Sequence, residues 1–301
     1  MNAGRASEPI LSVVVCTHER PGHPRRVHLR RCLEALSALD DVVEVIVVDS
    51  ASQPPVEEAV ASFEDRLSDL HYVYVAEPGL SLARNVGAQA ASRELVAFVD
   101  DDAAPTPDWA RRVVARFARA EIACVGGTCR AAFERTPPRW LTTNLLALAG
   151  ITSFGREARA VAATADYPFG ANIAFRRSAL LEVGGFDEEL GRVGESLLSG
   201  EETAVVRRLL AAGHEVWIDP HAVVDHTVTA ERMQGRYYWR RFFWQGVTRA
   251  RMGGRVRRLG GLALEVPLYV RQWLRTRDRY YLYRASAETI GHFAEWVGRG
   301  A

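Results

Sequence analysis

The chain contains no lysine; all 38 of its basic residues are arginine. So uniform a usage reads first as compositional bias, with a gain wherever a planar guanidinium meets an anion. It removes the phosphate-binding loop GxxxxGK[ST] and the late-strand lysine of a receiver domain. Cysteine is scarce as well, with four residues at 16, 32, 124 and 129. They form no CxxC pair and no His/Cys zinc spacing, so reduced structural thiols in a cytoplasmic protein are expected. The N-terminal MNAGRASEPI has no apolar core of the secretory type. No run reaches the roughly 18 apolar residues of a membrane span. Net charge is only +1, so no overall field draws nucleic acid. GxGxxG after the first strand and a GxSxG elbow are both missing, which excludes dinucleotide binding of the usual kind and an α/β-hydrolase nucleophile.

What is present is globular in composition: 301 residues, 48% hydrophobic and 25% charged, enough for one large domain or two modest ones. Unbroken apolar runs occur at ILSVVVCT (10–17), VVEVIVVD (42–49), HYVYVAE (71–77), LVAFVD (95–100) and IACVGGT (122–128). Valine-rich runs of this kind fit parallel strands covered on both faces. Between them lie helical stretches, HLRRCLEALSAL, PPVEEAVASF, SLARNVGAQAA and PDWARRVVARFARA. In the first, Leu29, Leu33, Leu36 and Leu39 keep helical spacing. In the last, Pro107 and Asp108 suit a helix start. The alternation predicts βαβ units and an α/β fold. Residues 130–200 are less regular. EETAVVRRLLAAG reads as an amphipathic helix stopped by Gly213, and HEVWID and AVVDH as two short strands.

The C-terminal part carries its charge differently. Residues 236–284 hold thirteen arginines against Glu265 and Asp278, a net of +11, so the remainder of the chain is about −10. Aromatics interleave with the arginines, among them Tyr237, Trp239, Phe242, Trp244 and Trp273. Such helices suit an anionic membrane surface; arginines in solvent on a packed appendage are the plain alternative.

In an open parallel sheet, ligands bind outside the carboxyl ends of the strands. Here those ends read Thr17-His18-Glu19-Arg20, Asp49-Ser50, Glu77-Pro78-Gly79 and Asp100-Asp101-Asp102. Two unit charges about 4 Å apart repel by roughly 4 kcal/mol at an effective dielectric of about 20. Three adjacent carboxylates therefore call for a counter-charge, and Mg2+ or Mn2+ prefers oxygen ligands. A solvated acidic loop is the alternative.

These motifs, VVVCTHERP, VIVVDSAS, EPGLSLARNVGAQAA, LVAFVDDDAAPTPDWA, FGANIAFRRSALLEVGGFDEELG and GEET in unbroken order over residues 10–230, resemble the family 2 glycosyltransferases of GT-A fold. The resemblance implies a GT-A, Rossmann-like, mostly parallel sheet flanked by helices, spanning 1–230 (nucleotide half 8–130, acceptor half 131–230). A helical, basic region at 231–301 would follow. It implies an inverting transfer from a nucleoside diphosphate sugar, UDP-sugar foremost, usually with a divalent metal (Mg2+ or Mn2+).

Residue by residue, the resemblance places Thr17, Glu19 and Asp49 near the base and Arg84 near the diphosphate. Asp102 is set on the metal, and Asp100 and Asp101 toward ribose, with Asp100 and His226 as further metal ligands. Gly170, Ala171 and Asn172 fall beside the donor sugar. Glu201 and Glu202 match the family's Glu-Asp pair, a departure because the second member is Glu. Glu202 is the expected general base and Glu201 the runner-up. Arg240, Arg241, Gln245 and Gly246 lie where relatives have a basic motif near the diphosphate. The expected partners are the nucleotide sugar, a glycan, lipid-linked or small-molecule acceptor, and an anionic bilayer touched through the C-terminal region, but no nucleic acid. The expected location is the cytoplasm, or its membrane face. A sugar nucleotidyltransferase would also use strand-end aspartates, but it needs a Gly-rich loop that CTHERPGHP does not supply. An inactive, nucleotide-sugar-binding protein is the other alternative.

Overall fold

A computed structural model describes residues 10–22, 25–162, 167–253 and 257–298. Residues 1–9, part of the N-terminal stretch read above, and Arg255 lie outside these residues. In chain order the elements are β1 (Ser12–Thr17), α1 (Arg26–Leu36), β2 (Glu44–Ser50), α2 (Glu57–Ala61), β3 (Leu70–Val75), α3 (Leu80–Ala90), β4 (Leu95–Asp100), β5 (Ala103–Pro105), α4 (Trp109–Arg116), β6 (Ile122–Phe133), α5 (Thr143–Leu148), β7 (Arg159–Ala160), β8 (Asn172–Arg176), α6 (Arg177–Glu182), α7 (Glu201–Ala211), β9 (Glu215–Val228), α8 (Gly235–Gly253), α9 (Arg257–Thr276), α10 (Arg279–Tyr283), a π-helical turn (Arg284–Glu288) and α11 (Thr289–Gly298).

The chain forms two compact units. The first comprises residues 1–130, 152–188 and 202–226. The strands join in a mixed sheet of order β3-β2-β1-β4-β8-β6-β9-β5, with β7 beside β9. β3, β2, β1 and β4 pair in parallel, as their valine runs lead one to expect. β8 then pairs antiparallel with both β4 and β6. The run at 122–128, read as one more parallel strand, keeps the direction of β4 but is separated from it by the antiparallel β8. An apolar run encodes burial on both faces and not the order of strands in the sheet. HEVWID and AVVDH, read as two strands, form the single strand β9, and Pro220 sits inside it.

Period-two alternation sorts the core into two layers. Val13 and Val15 of β1, with Val45 and Val47 of β2, meet Leu29 and Leu33 of α1 and Trp109 and Val113 of α4. Val14, Ile46 and Val48 turn to the other face and meet Ala83 and Ala88 of α3, Leu180 of α6 and Val205 and Leu209 of α7. Phe98, Phe175 and Phe186 interlock edge-to-face in that second layer; each such pair is worth about 0.5–1.5 kcal/mol beyond its burial. α1 ends at Leu36, so Leu39 lies past the helix yet still packs on the first layer.

The second unit comprises residues 131–151, 189–201 and 227–301. Its core gathers Leu145 and Ala149 with Tyr237, Tyr238, Phe242 and Ala287. α8 and α11 cross on two glycines. A Cβ on Gly246 would stand 1.9 Å from the Glu288 carbonyl oxygen, and one on Gly291 would stand 1.8 Å from that of Phe243. Among the described residues no helix is long and apolar enough to cross a membrane.

Candidate active site

The parallel strands end level with one another. β1 pairs Thr17 with Asp49 of β2 and Cys16 with Asp100 of β4. After Asp100 the chain turns through Asp101 and Asp102 into the short β5, whose Ala103 pairs with His226 of β9. This antiparallel register carries a histidine 124 residues away onto the acid cluster: His226 Nε2 lies 2.9 Å from Asp102 Oδ1. One oxygen each from Asp100 and Asp102 and one nitrogen of His226 lie within 4.8 Å of one another.

The three carboxylates are not left to repel. Arg84 of α3 is buried and donates from Nη2 to Asp100 Oδ1 at 3.4 Å. Its guanidinium also stands 5.4 Å from the Phe186 ring centre. Gly170 makes room for it, since a Cβ there would come within 2.3 Å of Nη2. On Asp101, Oδ2 accepts from Thr17 Oγ1 at 2.7 Å and from Arg25 Nε at 2.9 Å. Arg25 Nη2 also bonds Asp101 Oδ1 and reaches Asp102 Oδ2 at 3.2 Å. Burial works against the Arg25 charge, but Asp101 and Asp102 outweigh it and hold the guanidinium above its ordinary range. Part of the counter-charge that three adjacent aspartates demand is thus built into the protein. Beside them the Cys16 thiol is pushed up to about 12, first by burial, with Arg84 opposing and Asp100 and Asp101 adding. It is therefore a neutral packing group and no nucleophile.

The structure brings Thr17, Arg84, Gly170, Asp100, Asp101, Asp102 and His226 together. Glu19, Asp49, Asn172, Arg240 and Arg241 spend their side chains on the scaffold. Glu19 accepts from the backbone N–H groups of Arg25 and Arg26 at 3.1 and 2.8 Å, which caps α1. Asp49 is fully buried and accepts from Ser52 N–H, Val56 N–H and the Tyr72 hydroxyl. Asn172 accepts from Trp109 Nε1 at 2.9 Å and donates to the carbonyls of Thr128 and Ala222, tying β8, β6 and β9 to α4. Ala171 packs in the first core layer. Glu201 and Glu202 open α7, where the helix dipole favours anions. Arg240 donates to the Glu195 carbonyl, and Arg241 to the carbonyls of Leu148 and Leu197. Gly246 serves the α8–α11 crossing.

Arg25, Tyr72 and Trp109 went unread in the sequence. Arg25 stands in HPRRVHLRR, an arginine-rich helix start, and nothing local links it to an aspartate 76 residues on. The only available signal was the demand of three adjacent acids for cations.

Two carboxylate oxygens and one imidazole nitrogen fit a divalent cation such as Mn2+ or Mg2+, and Asp102 and His226 are buried, as ligands held in place are. A second acid–histidine group, Glu44, Asp69 and His71, starts from the opposite ends of β2 and β3. There Glu44 is already occupied by Ser12 Oγ and Ser92 N–H.

The sequence profile described as Glycosyl transferase family 2 matches residues 12–184. A glucosyl-dolichyl phosphate glucuronosyltransferase of Haloferax volcanii is 29% identical over 249 residues, 79% of this chain and 76% of that protein. A pre-mycofactocin glycosyltransferase of Mycobacterium tuberculosis is 33% identical over 202 residues, 66% of this chain and 39% of that protein. Among solved structures, a mannosyltransferase from Pyrobaculum calidifontis in complex with GDP-Man and Mn2+ superposes with a TM-score of 0.59 at 20% identity, covering 98% of this chain and 80% of that one. S. aureus TarS in complex with UDP-GlcNAc gives a TM-score of 0.56 at 17% identity, covering 96% and 91%. The structural likenesses establish the fold, and the profile spans more than half the chain: the protein belongs to glycosyl transferase family 2 and is a glycosyltransferase of GT-A fold.

Proposed function

We propose that the protein transfers a sugar, with inversion, from a nucleoside diphosphate sugar to an acceptor hydroxyl, with a UDP-sugar as the leading donor. The observation that carries this reading is the convergence of Asp100, Asp102 and His226 beside Arg84 at the carboxyl edge of the parallel strands. Asp102, Asp100 and His226 would hold a divalent cation, which supplies Lewis-acid stabilisation of the departing diphosphate. Arg84, kept in place by Gly170 and Phe186, adds a fixed positive charge for the same diphosphate. Thr17 and Asp101, already hydrogen-bonded to each other, face the nucleoside. Glu19, Asp49, Ala171 and Asn172 hold that edge in shape. Glu202 takes the proton of the acceptor hydroxyl, with Glu201 as the alternative base. The complexes named for the structural neighbours, GDP-Man with Mn2+ and UDP-GlcNAc, support a nucleotide-sugar donor and a metal.

The acceptor is proposed to be lipid-linked and met at the cytoplasmic membrane face. Two observations support this. The Haloferax volcanii relative is named for a dolichyl phosphate substrate. Leu268, Val270 and Leu274 of α9 are exposed, and so are Arg271 and Arg275 among them, which is the mixture that seats a helix on an anionic bilayer.

The test is a thermal-shift titration with UDP- and GDP-sugars, with and without Mn2+ or Mg2+, followed by NMR of the product anomer. A donor raises the melting temperature by mass action, and the expected rise depends on metal. The product is expected to carry the inverted linkage. A retained anomer, or pyrophosphate release from a sugar 1-phosphate and a nucleoside triphosphate, would sink this reading.

A further inference from the structure

Arg25 has no part in the roles assigned above, yet it makes closer contacts to the acid cluster than Arg84 does. Its Nε donates to Asp101 Oδ2 at 2.9 Å, and its Nη2 bonds Asp101 Oδ1 and stands 3.2 Å from Asp102 Oδ2. Asp102 is thereby divided. Its Oδ1 faces His226 at 2.9 Å, and its Oδ2 faces Arg25. The side chain of Arg25 is 24% exposed while those of Asp101 and Asp102 are 3% and 0% exposed, so the guanidinium lies on the solvent side of that pair. Three carboxylates with two guanidiniums, Arg25 and Arg84, leave one net negative charge around the Asp100–Asp102–His226 triad. A fixed cation so close to a metal triad lowers the attraction of that triad for a second cation. A diphosphate, being anionic, offsets both.

We infer that Arg25 is a resident counter-cation: it holds the Asp101–Asp102 pair together in the metal-free protein and keeps intrinsic metal affinity low, so that metal and nucleotide bind cooperatively. This rests on the metal reading proposed above. Arg25 is then a positioning residue whose effect is read in binding rather than in turnover. By linkage, whatever the nucleotide gains from metal the metal gains from nucleotide, and Arg25 sets the size of that gain.

The test is titration of Mn2+, followed by electron paramagnetic resonance, into wild type, R25Q, R25K and D102N, each with and without UDP. R25Q is expected to bind Mn2+ about tenfold more tightly than wild type in the absence of UDP. It is also expected to gain less from UDP, and to melt at a lower temperature in EDTA. R25K, which keeps the charge, is expected to stay within about threefold of wild type, because the effect is electrostatic. If R25Q does not fold, R25M, which keeps much of the stem without the charge, takes its place. Equal or weaker Mn2+ binding by a folded R25Q or R25M overturns the inference and leaves the metal reading standing. Failure of wild type to bind Mn2+, or unchanged binding by D102N, overturns both.

Discussion

The two compact units hold charge in opposite ways. In the sheet-bearing unit several acids lie inside. Asp49, Asp101 and Asp102 are buried, and each is met by backbone donors, a hydroxyl or a guanidinium. In the C-terminal helical unit arginine dominates, and it divides. Arg249 and Arg284 are drawn onto the buried Glu288, and Arg251 onto Glu295. Arg271, Arg275, Arg277 and Arg279 stay in solvent. Removing one partner of a buried pair costs about 3–5 kcal/mol, whereas an exposed charge contributes little to stability. Charge that is buried at such cost, and assembled from partners 76, 84 and 124 residues apart, is a site that the fold was built to hold. Charge left on a helix surface is available to whatever that surface meets.

The strongest way to break this contrast lies inside the sheet-bearing unit, where the acids should separate by task. Glu202→Gln is expected to lower turnover by about 10²–10⁴-fold, the usual worth of a general base. Donor binding in the presence of Mn2+ should stay within about threefold of wild type, because the amide keeps the shape of the side chain. Single-turnover kinetics with a parallel thermal shift reads both quantities. Near-normal turnover in this variant would move the base to Glu201, its neighbour in the first turn of α7.

The sheet edge was legible because unbroken valine runs announce buried strands, and each run ends in a polar residue. Thr17, Asp49 and Asp100 came out level on that ground alone. Strand order was not legible: β6 has an apolar run like those of β1, β2 and β4 and keeps their direction, yet it pairs with the antiparallel β8 and not with one of them. The mutual repulsion of the acids called for a counter-charge, and the protein itself supplies part of it through Arg25 and Arg84. The resemblance places Asn172 beside the donor sugar, and in the structure its amide is engaged by Trp109, Thr128 and Ala222. Such partners lie tens of residues apart, and no local period encodes them. In the helical unit the interleaved arginines and aromatics suggested helices, but the close approach of α8 and α11 at Gly246 and Gly291 leaves no trace in a hydrophobic pattern.

That crossing gives the second prediction. A methyl group on Gly246 would stand 1.9 Å from a backbone oxygen, which no side-chain rotation can relieve. Gly246→Ala is expected to destabilise the protein by about 1–3 kcal/mol, the cost of overpacking a core that fits well. Urea denaturation followed by tryptophan fluorescence measures it. Mn2+ affinity should be unchanged in the folded variant, because this glycine serves packing within the helical unit. A variant as stable as wild type would mean that the two helices separate at little cost, and the difference between a packed interior and a charged surface would weaken there.

The smallest effects are expected on the exposed face of α9, and they decide what its charge is for. Leu268 and Leu274 are 58% and 53% exposed, and Arg271 and Arg275 are exposed beside them. A soluble helix gains nothing by showing leucine to water, whereas a bilayer takes up the leucine and its anionic headgroups attract the arginines. Each arginine near such a surface contributes about 1 kcal/mol, so Arg271→Gln is expected to weaken co-sedimentation with phosphatidylglycerol vesicles about fivefold. Leu274→Ser should weaken it by a similar factor without altering the unfolding transition, since neither side chain lies in the core. Binding by wild type should fall as salt rises, because screening shortens the reach of the surface potential, and should be slight on phosphatidylcholine alone. If wild type ignores anionic vesicles at low salt, the arginines of α9 are solvated charge and no more. The lipid-linked acceptor then loses its structural support, while the acid cluster and its chemistry stand on their own evidence.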